Sequence, residues 1–96
     1  MSSTSFTTVP AFNCAAGTDF TNMLQGCIRV TLVNITGVKY SISLTGCASG
    51  MPTANINTFY TNLSTAAGAQ TVTVTTLTNQ AASNKAIATA KGWTVA

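Results

Sequence analysis

Charge is what this sequence has least of. Only 5% of its 96 residues are charged, against about a quarter in an average soluble domain. Asp19 is the single acid, Arg29, Lys39, Lys85 and Lys91 are the bases, and histidine is absent. General acid–base catalysis needs a titratable group poised near the working pH, most often histidine or a carboxylate pair. With one acid and no histidine the expectation is a protein that is not an enzyme. Four scattered cations form no run with interleaved aromatics, so phosphate neutralisation is not expected and nucleic acid is not an expected partner. No stretch of twenty apolar residues is present, so no membrane partner is expected. Residues 1–13, MSSTSFTTVPAFN, lack a basic start and a long apolar run, so no secretory signal is expected either.

Cysteine is also scarce, and its count is odd. Cys14, Cys27 and Cys47 do not give the short paired spacing of a zinc site. Without a signal they read as reduced thiols of a protein made in a cytoplasm. They fit a redox or metal cluster less well than small apolar residues in repeated core positions. No metal and no cofactor is expected. Thr, Ser and Asn fill the polar positions instead of charge. Such a surface has little electrostatic repulsion to keep copies apart. The composition therefore suggests a subunit of a larger assembly, a homo-oligomer or a docked chain.

The rest of the sequence is well punctuated. Residues 1–5 are polar and expected to be flexible, and 6–96 are expected to form a single domain. FTTV (6–9) has the β-branched content of a short strand, ended by Pro10. In TDFTNMLQGC (18–27), Phe20, Met23, Leu24 and Cys27 follow the i, i+3, i+4, i+7 spacing of a helix stripe. Thr18 is its candidate N-cap, and Gly26 can end it. IRVTLVNI (28–35) and KYSISLTG (39–46) read as strands. Only residues 36–38 separate them, which leaves a hairpin or a tight turn between two coils; neighbouring strands of one sheet, direction open, are slightly favoured. TANINTFYTNL (53–63) repeats the helix stripe with Ile56, Phe59, Tyr60 and Leu63. TVTVTTL (71–77) is a strand, TNQAAS (78–83) a loop, KAIATAK (85–91) a short helix capped by Ser83 or Asn84, and WTV (93–95) a last strand. In that last unit Ile87 and Ala90 are expected to face inward, and residues 93–95 to pair with 71–75.

Gly26-Cys27 recurs as Gly46-Cys47. One strand and one short helix per 20–30 residues is the mark of a solenoid. The expected class is α/β: a short solenoid with one mostly parallel sheet and short helices on its other side.

The motifs resemble a known family. FTTVPAFN…TDFTNMLQGC is similar to the BspA-type leucine-rich repeat, which reads roughly LTTVPLFDT…VTNMSSMFxGC. Phe6, Val9, Pro10, Phe12, Thr21, Asn22, Met23, Gly26 and Cys27 fit that pattern. The tail resembles a common ending of such repeats in phage virion proteins and related bacterial surface proteins, LNxLYTxLxTATGxTITVT…SIATAKGWTV. Phe59 to Leu63, Thr71 to Thr75 and Ile87 to Val95 stand in those positions. The resemblance implies a leucine-rich-repeat-like domain over 6–96. It also implies a non-catalytic virion structural protein: a small capsid-surface, tail or baseplate subunit, or a decoration protein. Its partners would be other virion proteins or copies of itself, and its location the virion. A host-receptor or glycan recognition module at a tail fibre or bacterial surface is the alternative.

Candidate contact residues follow from the pattern. Phe6 and Val9 lie on an N-terminal strand that would present an unpaired edge. Thr71, Thr73 and Thr75 line one face of a strand, which Ser41, Ser43 and Thr45 would extend if the two segments are neighbours. Trp93 is an interface anchor or a core residue closing the end.

Overall fold

The computed structural model of the chain describes residues 7–9, 11, 13–20, 24 and 26–96. Among these residues five short strands form two sheets, and every pairing is parallel. β1 (Thr8–Val9) pairs with β2 (Leu32–Val33), Thr8 opposite Leu32 and Val9 opposite Val33. A bridge between Asn13 and Thr36 continues that contact. The second sheet has the order β3 (Ile42–Ser43), β4 (Gln70–Thr73), β5 (Trp93–Val95). Its register sets Ile42 against Val72 and Val72 against Val95, and a parallel bridge sets Phe20 against Ile42. Parallel neighbours need a long return path. Here the chain makes each return through turns, through the helix α1 (Thr53–Asn62), or through a five-residue 3-10 segment (Thr78–Ala82) and the single-turn helix α2 (Ala86–Thr89).

Several expectations are corrected. There are two parallel sheets, not one. Segments 28–35 and 39–46 are not neighbours: β2 pairs with β1, whereas β3 pairs with β4. The tight turn is the geometry adopted, with Thr36 bridged to Asn13 and Gly37 at φ +81°. Ile28 is 61% exposed in a turn, so the strand of 28–35 shrinks to two residues. Thr18 and Asp19 do not open a helix, because Phe20 is extended and paired with Ile42. Of that stripe, Phe20, Leu24 and Cys27 are buried, while residues 21–23 and 25 lie outside the described residues. The expected loop at 78–83 contains the 3-10 segment.

The other elements match their sequence signals. α1 buries Ile56, Phe59 and Tyr60, with Leu63 just past its end, as the stripe requires. Fully burying such a side chain is worth about 1.5–3 kcal/mol. β5 pairs in parallel with β4, although with residues 70–72 rather than 71–75. In the last unit Gly92 turns at φ +88°. Ala88 is buried and Ile87 packs against the core, but Ala90 is exposed. Neither Ser83 nor Asn84 caps α2 through its side chain. The Ser83 hydroxyl is engaged with the Gln80 carbonyl and the Tyr60 hydroxyl, and the Asn84 N–H donates to Asn57 Oδ1 at 2.7 Å.

The repeated Gly-Cys marks a repeated turn. Cys27 N donates to Leu24 O, Cys47 N to Leu44 O, and Leu77 N to Val74 O, at 3.3, 2.9 and 2.9 Å. All six residues are buried. Backbone bonds join one turn to the next: Ala48 N to Val30 O and Thr78 N to Ser49 O, both 3.0 Å. The three cysteines form no disulfide and are buried among one core cluster that runs from Val9 to Trp93. Side-chain amides complete the framework. Asn55 Nδ2 donates to Thr31 O at 2.8 Å, and Asn79 Nδ2 to Met51 O at 3.0 Å. α1 has no basic residue in its last turn. Lys91 supplies the cation from a distance, its Nζ donating to the Tyr60, Thr61 and Leu63 carbonyls at 3.1, 2.7 and 2.7 Å. This satisfies helix-end carbonyls and suits the negative end of the helix dipole.

Candidate functional site

Two surfaces have the geometry to bind something: the outer face of the second sheet, and the strand edges at the two ends of the fold. In the sheet, alternation turns Ile42, Val72 and Val74 inward and leaves Ser41, Ser43, Thr71 and Thr73 outward. The register puts Ser43 beside Thr73 and Thr71 beside Thr94. The serines of one segment thus extend the threonine face of the other, as the alternation of both segments suggests. Ser41, Ile42, Ser43, Thr71 and Thr73 line a shallow depression of about 160 Å³.

Part of this face is fixed by its own hydrogen bonds. Gln70 Oε1 accepts from the Ser41 N–H and hydroxyl at 3.0 and 3.1 Å, and Ser41 Oγ accepts from Thr71 N at 2.9 Å. The Gln70 amide also donates to Ala67 O at 3.0 Å. Ser43 and Thr45 hydroxyls share a bond of 2.7 Å, and Thr45 N donates to Ser43 Oγ. The Thr71 and Thr73 hydroxyls have no partner among the described residues. The chemistry offered is therefore neutral: serine and threonine hydroxyl groups, with no charged or aromatic side chain in the lining.

At the strand ends, alternation decides which backbone groups are used. Thr31 N donates to Thr7 O and Asn34 N to Val9 O, so Thr8 faces away from β2. On the opposite side of β2, Asn55 covers Thr31 O. At the C-terminal edge, Ala96 N donates to Val72 O at 2.9 Å and Ala96 O accepts from Val74 N at 2.7 Å. Both polar groups of Ala96 therefore point at β4, and those of Val95 point outward. Among the described residues β1 and β5 are edge strands.

The candidate contact residues separate cleanly. Phe6 lies outside the described residues. Val9 has no exposed surface and Trp93 is 3% exposed, with its indole N–H donating to Ser64 O at 2.8 Å. Both side chains are core, which corrects the reading of Val9 as a contact residue and selects the core alternative for Trp93. Thr71 and Thr73 line the depression, whereas Thr75 is exposed in the following turn and does not. Sequence reasoning missed Gln70 as the organiser, for which a lone glutamine opening a β-branched run was the available signal.

The Cys14 and Cys47 thiols are poor nucleophiles. Burial pushes Cys14 up, and burial with the neighbouring Cys27 pushes Cys47 up to about 12. An activated cysteine needs the opposite shift. No cluster of metal-ligating side chains occurs among the described residues, and no helix among them is long and apolar enough to cross a membrane. No family model matches the chain, and neither a curated protein nor a solved structure is similar to it.

Proposed function

We propose that this chain is a non-enzymatic structural subunit of a phage virion, part of a capsid surface, tail or baseplate, acting through protein–protein contacts. In this reading the two parallel sheets and their returns are a short leucine-rich-repeat-like solenoid, and its ends are its working surfaces. The observation that carries the reading is that, among the described residues, β1 and β5 are edge strands of two separate parallel sheets, on a chain with almost no charge to repel neighbours. The resemblance of the quoted motifs to repeats of virion proteins supplies the setting. Phage particles produced by cells encoding the chain provide the test. The chain should co-sediment with particles through a density gradient and occupy a fixed position in their reconstruction. A chain left at the top of the gradient overturns the reading.

The hydroxyl-lined depression favours a second reading, recognition of a neutral glycan. Neutral hydroxyl pairs suit the hydroxyls of a sugar. Under it, Thr73→Ala and Ser43→Ala should each weaken glycan-array binding by about tenfold, roughly 1.4 kcal/mol, with unchanged circular dichroism. Equal binding by both variants removes the depression from consideration.

A further inference from the structure

We propose that the partner at the C-terminal edge is a second copy of this chain, stacked head-to-tail. The inference rests on the protein-contact reading above and names the occupant. Because every strand pair is parallel, the ladder has two unlike ends: the N-terminal pass, through residues 7–20, and β5 with Ala96. A second copy that repeats the step already present would set its residue-20 segment beside β5, as Phe20 is set beside Ile42 here. The internal column of the ladder is Phe20, Ile42, Val72, Val95, apolar at each position. The new step would bring Phe20 of the added copy against Val95, apolar against apolar. The outward N–H and C=O of Val95 would gain the kind of partners that the Val72 carbonyl and the Val74 N–H already provide for Ala96.

Charge selects this arrangement over a symmetric one. The N-terminal pass carries Asp19, the sequence's single acid, and no base, and Asp19 is exposed. The C-terminal unit carries Lys85 and Lys91 and no acidic side chain. Head-to-tail contact brings opposite signs together, whereas tail-to-tail contact brings four lysines together. A heterologous contact of this kind does not close on two copies, so it adds chains beyond two, as a filament or as a larger ring.

Two variants test it. Val95→Pro removes an N–H that faces away from β4, so it blocks the tail without touching the β4–β5 ladder. Asp19→Lys reverses the charge of the head. In analytical ultracentrifugation the unaltered chain should grow past two copies as concentration rises. Each variant alone should lose that growth at the same concentration. An equimolar mixture should stop at two copies, because each variant retains one competent end. An unaltered chain that stays single, or that plateaus at two copies, overturns the inference. So does growth of folded Val95→Pro equal to that of the unaltered chain. If Val95→Pro does not fold, growth of Asp19→Lys undiminished in low salt overturns it alone, and its loss supports it. A chain that is single in solution yet sediments with particles defeats this inference and spares the structural reading. A chain that polymerises but never reaches particles does the reverse.

Discussion

Cys27 and Cys47 close the same kind of turn in consecutive passes of the chain, and the consequence is electrostatic as well as steric. Burial disfavours the Cys47 thiolate first, and the proximity of Cys27 disfavours it further, so its ionisation moves from 9.0 to about 12. The unfolded chain releases this proton near 9.0 and the folded chain holds it. The group's contribution is therefore fully present below pH 9.0 and is lost as pH rises toward about 12. Tyr60 acts in the same direction, its phenol raised above 10.0 by burial despite the opposing bond to Ser83. Urea midpoints should fall steadily from pH 9 upward, and Cys47→Ala, whatever its midpoint at neutral pH, should show a shallower fall. A midpoint that is flat or rises over this range would contradict the burial described.

The connection between β2 and β3 illustrates how an element is fixed by one residue. Gly37 sits at φ +81°, and a Cβ there would lie 2.8 Å from Asn13 Oδ1 and 2.9 Å from the Ala15 backbone nitrogen. Asn13 Oδ1 already accepts from Ala15 N at 2.8 Å, so that segment has no slack. Gly68 also has a positive φ, +93°, but open space around it. Gly68→Ala should cost only the conformational term, about 1–2 kcal/mol. Gly37→Ala should cost about 1–3 kcal/mol more through overpacking against backbone, measured by denaturant unfolding of both variants. Equal losses would show that the turn gives way. This turn also explains what the sequence could and could not disclose. A three-residue link between two β-rich runs suggests neighbours, and only the contact of Asn13 with Thr36 turns the chain into a different sheet. The Phe20 stripe misleads for a related reason. An apolar step of three serves a helix, and it serves equally a series of turns bonded Leu24 to Cys27 and Cys27 to Val30. α1 was legible because its stripe continues over ten helical residues. β5 was legible because glycine and tryptophan punctuate it. The hydroxyl face was legible in its alternation, but its organiser, Gln70, was not, since its role depends on a serine 29 positions away.

The whole molecule measures 34 × 29 × 18 Å, thin in one direction, with one apolar cluster reaching from Val9 to Trp93. Two ends and two sheets are thus served by a single interior. Cohesion between passes comes from backbone bonds, from neutral side chains, and from the Lys91 ammonium on the carbonyls at the end of α1. Among those neutral contacts three amides stand in for peptide groups: Asn55 on Thr31, Asn79 on Met51, and Gln70 between Ser41 and Ala67. Each works because it presents an N–H to a carbonyl oxygen. Hydrolysis of such an amide replaces that N–H with a carboxylate oxygen, so two acceptors face one another and a negative charge appears where none existed. Deamidation at these amides therefore removes contacts between passes. At Asn55 and Asn79 the following residues, Ile56 and Gln80, are bulky enough to slow the cyclisation that begins that reaction.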